Sequence, residues 1–96
     1  LRIRFTARAR QEFDVAAAWW RENRPLAPYL LEDEVQRAMT LLAEAPNLGT
    51  PILNASTQGI RRFHLSQTRY FLYYRVRENT VELLRLWHTS RRQPAP

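Results

Sequence analysis

The chain contains no cysteine and no lysine. Without cysteine there is no disulfide framework, no thiol chemistry and no thiolate-held metal, and the composition suits a cytoplasmic protein. Without lysine, all 15 basic side chains are arginine, the side chain whose planar fork grips phosphate or carboxylate through two parallel hydrogen bonds. Glycine is scarce, with only Gly49 and Gly59, too few for a glycine-rich phosphate loop. There is no long apolar run of the kind a membrane span requires, so no membrane association is expected. Nothing from Leu1 onward reads as a signal peptide. What remains is 96 residues of ordinary globular composition, expected to form a single domain, 1–96. A chain of this size buries only about 60–70% of its unfolded surface. Any chemistry must sit on one sheet, or in a groove between a sheet and its helices.

The formal net charge is +6. Residues 1–56 are balanced, with 7 Arg against 7 acidic residues; residues 57–96 hold 8 Arg against Glu78 and Glu82 alone. The whole excess lies in the C-terminal 40 residues. Solubility would not require such segregation, whereas a phosphate-bearing or acidic partner would exploit it.

Hydropathy gives the order of elements. Residues 1–5 alternate apolar and basic, the period of a strand with one buried face. Thr6 is placed to cap a helix, and Ala9, Phe13, Ala16, Ala17 and Trp20 recur as one helical stripe. Pro25 ends that helix near Asn23. A second helix follows, with Pro28 in its first turn, a stripe of Leu31, Val35, Ala38, Leu42 and Ala45, and Glu32, Asp33 and Glu34 toward its positive end; Pro46 closes it. Their short link implies an antiparallel hairpin. Residues 46–58 read as loop, with Pro46, Asn47, Gly49, Pro51, Asn54, Ser56 and Thr57. Strands are expected at 60–65, 69–77 and 80–87, the last two joined by a two-residue turn at Glu78-Asn79. Leu72, Tyr74 and Val76 should share one face, as should Leu84 and Leu86. Residues 88–96 read as a basic, proline-ended tail, flexible in solution. The expected fold is therefore α+β, in the order β-α-α-β-β-β. A helical hairpin packs on one face of a mostly antiparallel four-stranded sheet whose other face stays wet.

Candidate chemistry is sparse. His64 and His88 lie near strand ends, and two histidines with arginines are the parts of an acid–base RNA-cleaving site; equally they are ordinary half-exposed strand residues. Neither has a second ligand one helical turn away, so no metal is expected, and no cofactor. Ser56, Ser66 and Ser90 give no nucleophile signal. Tyr70, Phe71, Tyr73 and Tyr74 alternate along a strand with Arg69 and Arg75. Such a strand either stacks bases or supplies the sheet's own packing. Trp20 falls on the apolar stripe, and Trp19 beside it is free for a partner surface. Arg61-Arg62 and Arg91-Arg92 are the concentrated basic pairs.

Three segments together resemble a known family. Gly-Ile-Arg-Arg-Phe-His-Leu (59–65), Arg-Tyr-Phe-Leu-Tyr-Tyr-Arg-Val (69–76) and Val-Glu-Leu-Leu-Arg-Leu-Trp-His-Thr-Ser-Arg-Arg (81–92) are similar to the C-terminal half of ParE toxins of the RelE/ParE superfamily. A strand ending at Phe5, Thr-Ala-Arg-Ala (6–9), Leu-Leu-x-x-x-Pro (41–46) and Pro-x-x-Gly (46–49) extend the likeness to nearly the whole chain. The resemblance implies the toxin of a type II toxin–antitoxin pair, acting in the cytoplasm in a hetero-oligomeric complex with a cognate antitoxin whose C-terminal segment is acidic and amphipathic.

Two activities occur in the superfamily: inhibition of DNA gyrase, and ribosome-dependent cleavage of mRNA. Nucleases of the RelE kind carry an arginine near the start of the central strand, and matching through Tyr74 puts Phe71 near that position. An apolar ring does not stabilise a developing phosphorane charge, so the resemblance implies gyrase inhibition without catalysis. The alternatives are an mRNA endonuclease using His64, His88 and Arg91, and a detoxified antitoxin-binding module. Arg61, Arg62, Arg69, Arg91 and Arg92 are the expected target-binding residues; Trp19, Tyr29, Arg75 and Arg85 are the expected antitoxin contacts.

Overall fold

A computed structural model describes residues 1–53 and 59–91. Strand β1 (Arg2–Phe5) leads through Thr6 into helix α1 (Ala7–Asn23), followed by α2 (Leu30–Glu44), β2 (Thr50–Pro51), β3 (Arg61–Leu65), β4 (Tyr70–Arg77) and β5 (Thr80–His88). The strands form one sheet in the order β1-β5-β4-β3-β2. The α+β class and the helical hairpin are as expected, with two differences in the sheet. It has five strands, because Thr50 and Pro51 pair with Arg62 and Arg61 inside the expected loop; a two-residue strand containing proline leaves no alternating pattern to read. It is also mixed, because β1 runs parallel to β5 while every other pairing is antiparallel.

Local chemistry accounts for the element ends. Thr6 takes an extended backbone, and its hydroxyl accepts the free Ala9 N–H at the start of α1. Arg24 closes α1 by donating its N–H to the Trp20 carbonyl. Helix α2 opens at Leu30, two residues later than a proline in the first turn would require. Pro28 instead sits in the connecting turn, and Tyr29 is the cap residue. Glu78 and Asn79 both adopt left-handed backbone, with φ of 50° and 63°, as a two-residue turn between right-twisted strands demands. The remaining calls on Asn54, Ser56, Thr57 and Arg92 fall outside the described residues.

The core lies between the hairpin and one sheet face, in two adjoining clusters. Trp20, Leu31, Val35 and Ala38 pack on Leu65, Leu72 and Leu86; Ala9 and Leu42 pack with Tyr74, Val81 and Leu83. The register between β4 and β5 shifts at Tyr73/Tyr74: Tyr73 faces Arg85 and Tyr74 faces Leu83. Leu84 is thus an unpaired extra residue, a bulge that reverses the side-chain alternation. The expectation that Leu84 and Leu86 share the core face fails for this reason. Leu83 serves before the bulge and Leu86 after it, while Leu84 is only partly covered. Leu72 and Tyr74 are buried as expected, whereas Val76 lies beyond the core and is exposed. Among the described residues no helix is long and apolar enough to cross a membrane.

Candidate functional site

Three carboxylates organise the surface. Glu12 on α1 receives Nε and Nη2 of Arg85 at 3.0 and 2.8 Å and the backbone N–H of Leu86 at 3.1 Å. Strand β1 ends at Phe5, opposite Leu83, so Glu12 takes over the edge of β5 where β1 stops. Glu82 is buried on β5 and pairs with Arg75 from β4 and Arg4 from β1. Glu34, buried on α2, accepts the N–H groups of Gln67 and Thr68 and the Thr68 hydroxyl, which fixes the β3–β4 turn. None of these roles is expected from the sequence. A signal exists for two of them: Glu12 and Glu34 each fall three residues after a stripe member, at a spacing that points inward.

These pairings sort the arginines. Arg75 and Arg85, expected to meet a partner, are committed to Glu82 and Glu12. Arg61 donates to the carbonyls of Asn47 and Gly49, bracing the loop that precedes β2. Tyr74 braces the same loop from below. Its hydroxyl donates to the Pro46 carbonyl at 2.7 Å and accepts from Gly49 N at 2.8 Å. Burial pushes the Tyr74 phenol up from its ordinary value, against the smaller opposing effects of the Gly49 hydrogen bond and the Arg61 charge.

Of the other arginines, Arg62 and a group of four fall on two separate surfaces. The first is the sheet face away from the helices. There the Arg62 guanidinium lies 4.1 Å over the Phe71 ring, with His64 at 5.2 Å and Tyr73 at 6.3 Å from the same ring. The second is an open groove of about 1090 Å³ between α1 and the end of β5. Arg8, Val15, Trp19 and Arg24 line its helical wall; Arg69, Tyr70, Trp87, His88 and Arg91 line the other. The single carboxylate here, Glu12, is already taken by Arg85. Arg8, Arg24, Arg69 and Arg91 have no carboxylate partner among the described residues, so the groove is strongly positive. Trp19 is 44% exposed, against 9% for Trp20, and is covered on one side by Arg24. Tyr29, also exposed, belongs to the hairpin connection rather than to the groove lining.

The two histidines are not brought together. His64 stands opposite Phe71, and Phe71 opposite Trp87; Leu65 stands opposite Tyr70, and Tyr70 opposite His88. Paired residues share a face and neighbours alternate, so His64 and His88 project to opposite sides of the sheet. His88 has a defined setting. Its Nδ1 accepts the backbone N–H of Ser90 at 3.1 Å and lies 2.7 Å from the Ser90 hydroxyl. In the neutral ring the proton is therefore on Nε2. The ring edge meets Tyr70 at 4.9 Å. Partial burial, then the charges of Arg91 and Arg69, hold the His88 imidazole below its ordinary value. At neutral pH it is an uncharged hydrogen-bond donor. Among the described residues no group of side chains is arranged to hold a metal ion.

Comparison with known proteins gives a consistent picture. Residues 3–93 match the family described as ParE toxin of type II toxin-antitoxin system, parDE. Toxin RelE1 of Caulobacter vibrioides is 29% identical over 83 residues, covering 86% of this chain and 87% of that protein. Among solved structures, the chromosomal ParDE system of P. aeruginosa aligns with a TM-score of 0.64 at 16% identity, covering 92% of this chain and 95% of the other. YafQ from E. coli aligns at 0.66 and 16%, covering 94% and 96%. The E. coli RelBE toxin-antitoxin complex aligns at 0.62 and 17%, covering 94% and 98%. At these identities the structures speak to fold alone.

Proposed function

The chain belongs to the ParE toxin family of type II toxin–antitoxin systems, and on that premise we propose that it inhibits DNA gyrase by protein contact, without chemistry of its own. The observation that carries this reading is the placement of His64 and His88 on opposite sheet faces. A general acid and a general base must reach the same phosphate, and these two do not. His88 is moreover poorly suited to give or take a proton through Nε2. It is neutral at pH 7, its lone pair on Nδ1 is engaged by Ser90, and its exposed nitrogen already bears a proton.

The neutralising partner in this proposal is a cytoplasmic antitoxin with an acidic, amphipathic segment. The groove beside α1 suits it: unpaired guanidinia for its carboxylates, and Val15 and Trp19 for its apolar side. Purified protein in a gyrase supercoiling and cleavage-complex assay tests the reading. Lost supercoiling or trapped cleaved DNA, reversed by antitoxin, supports it; unaffected gyrase at large excess rejects it.

One observation favours a second reading, ribosome-dependent mRNA cleavage. Arg62 carries a guanidinium onto the Phe71 ring, beside His64, so positive charge returns to the position where an apolar side chain seemed to exclude it. In that case Arg62→Ala and His64→Ala abolish cleavage by ribosome-bound protein while His88→Ala spares it.

A further inference from the structure

The end of β5 gathers Arg69 and Arg91, both expected from the sequence to bind the target, around His88. The Arg69 carbonyl accepts the Thr89 N–H at 2.9 Å, and the Arg91 N–H bonds the His88 carbonyl at 3.1 Å. These backbone ties keep Arg69 and Arg91 near enough to His88 for both charges to act on it. Arg69 is held there with φ of 65°, a left-handed conformation that side chains other than glycine adopt reluctantly. Two guanidinia without carboxylate partners among the described residues thus share one groove with an imidazole on which both charges act.

We propose that Arg69, His88 and Arg91 form a carboxylate-binding site for an acidic protein segment, and that filling it draws a proton onto His88. The site rests on the acidic partner of the preceding section; the proton coupling goes beyond it.

The coupling follows from the charges that surround the ring. The charges that act on it are those of Arg91 in the following turn and Arg69 just before β4, where the Tyr70 ring meets its edge; Arg85 on its own strand is paired with Glu12. Across the groove stand Arg8 and Arg24. The one acid there, Glu12, is spent on Arg85 and the Leu86 N–H. Partial burial first, then the charges of Arg91 and Arg69, disfavour an imidazolium here. A carboxylate seated between Arg69 and Arg91 reverses the sign of the local field and favours the charged ring.

The change costs one hydrogen bond, since the Ser90 N–H that neutral Nδ1 accepts at 3.1 Å must turn away from the protonated ring. The arriving proton lands on Nδ1, where the Ser90 hydroxyl, 2.7 Å away, turns from donor to acceptor. The Nε2–H, without a protein partner among the described residues, remains available to the incoming carboxylate. Neutral His88 accepts two hydrogen bonds from Ser90; charged His88 donates one back to it and one to the ligand.

The test uses the chain's two histidines as separate reporters. Ring resonances of His64 and His88 are followed by NMR through a pH titration, with and without a glutamate-rich decapeptide. In the free protein, His88 titrates below the ordinary histidine range. With peptide its midpoint rises by about one pH unit, so affinity is about tenfold tighter below both midpoints than above them. As pH rises through the window between the two midpoints, that gain is lost. The ring resonances of His64, on the opposite sheet face, do not respond to the peptide.

The double variant Arg69→Ala/Arg91→Ala loses peptide binding. His88→Gln binds with affinity independent of pH above the glutamate range, and Ser90→Ala shows a smaller midpoint shift. Circular dichroism confirms that each variant is folded. No binding of the peptide overturns the site. Binding with an unmoved His88 midpoint, or with equal movement of both histidines, overturns the coupling. Displacement of the peptide by single-stranded oligothymidylate that itself shifts His88 assigns the groove to nucleic acid and overturns the acidic-segment occupant. Gyrase and ribosomes are absent throughout, so the result stands apart from the identity of the target.

Discussion

Glu12 holds Arg85 by two side-chain hydrogen bonds and at the same time accepts the Leu86 N–H. One carboxylate therefore ends a strand edge, neutralises the innermost arginine of the groove and ties α1 to β5. Both partners are largely covered, with side-chain exposures of 20% and 13%. Glu12→Ala leaves a partly buried guanidinium and an orphaned backbone donor and should cost about 2–4 kcal/mol. Glu12→Gln keeps an acceptor for Leu86 and should cost less. Urea unfolding of both variants, compared at equal slope, measures the difference.

The Tyr74 hydroxyl and Gly49 form one construction. A side chain at Gly49 would meet the Tyr74 oxygen at 2.6 Å and its ring carbon at 2.7 Å. Tyr74→Phe removes a donor to Pro46 and an acceptor for Gly49, at about 1–3 kcal/mol. Gly49→Ala should destabilise further, and Tyr74→Phe should not rescue it, because the ring carbon remains in the way. A double-mutant cycle that shows full rescue would contradict this geometry.

Acid should weaken the fold partly through His88. Its folded-state value is depressed, so its contribution is present above the unfolded value near 6.5 and is lost as pH falls through the folded one. The stability difference between the parent and His88→Gln should shrink in the parent's disfavour as pH drops below about 6.5. Carboxylates common to both proteins cancel from that difference. A pH-independent gap in thermal melts would argue against it.

Glu78 and Asn79 occupy left-handed backbone with neither residue a glycine. Replacing the pair by Asn-Gly, the sequence such turns favour, should raise stability by about 1 kcal/mol without altering toxicity. Denaturant midpoints of Glu78→Asn, Asn79→Gly and the combined variant would show it.

Trp19 is the exposed aromatic of the groove wall. Trp19→Ala should weaken antitoxin binding by about 2 kcal/mol, near thirtyfold, as buried aromatic anchors do. It should leave the melting temperature within a degree or two, since Trp20 carries the core contact. Calorimetric titration against the antitoxin segment separates the two effects.

The parts of the fold written in local pattern were readable in advance. The Thr6 cap, the stripe from Ala9 to Trp20 and the turn at Glu78-Asn79 each depend on neighbours within a few residues. Apart from the start of α2, where Pro28 lies in the turn, the misreadings are non-local. Nothing near Leu84 announces that Tyr73 and Tyr74 will pair on either side of it, yet that bulge decides which leucines enter the core. The candidate site follows the same rule. Trp19 was visible as the residue beside the stripe. That Arg85 would be consumed by a glutamate 73 residues earlier, or that His64 and His88 would part to opposite faces, depends on register and packing.

The parallel pairing of β1 with β5 also imposes an order on biosynthesis. The first strand made has no partner until the last one leaves the ribosome. A growing chain can form the helical hairpin from contacts close in sequence, but its sheet stays open along β1, and the core lacks Val81, Leu83 and Leu86. The groove joins Arg8 and Arg24 from the α1 side to Arg69 and Arg91, so it is complete only once β5 has been made. A polypeptide stalled or truncated before Thr80 would therefore be unable to present that surface. An antitoxin already present would meet each new molecule at the moment its surface forms.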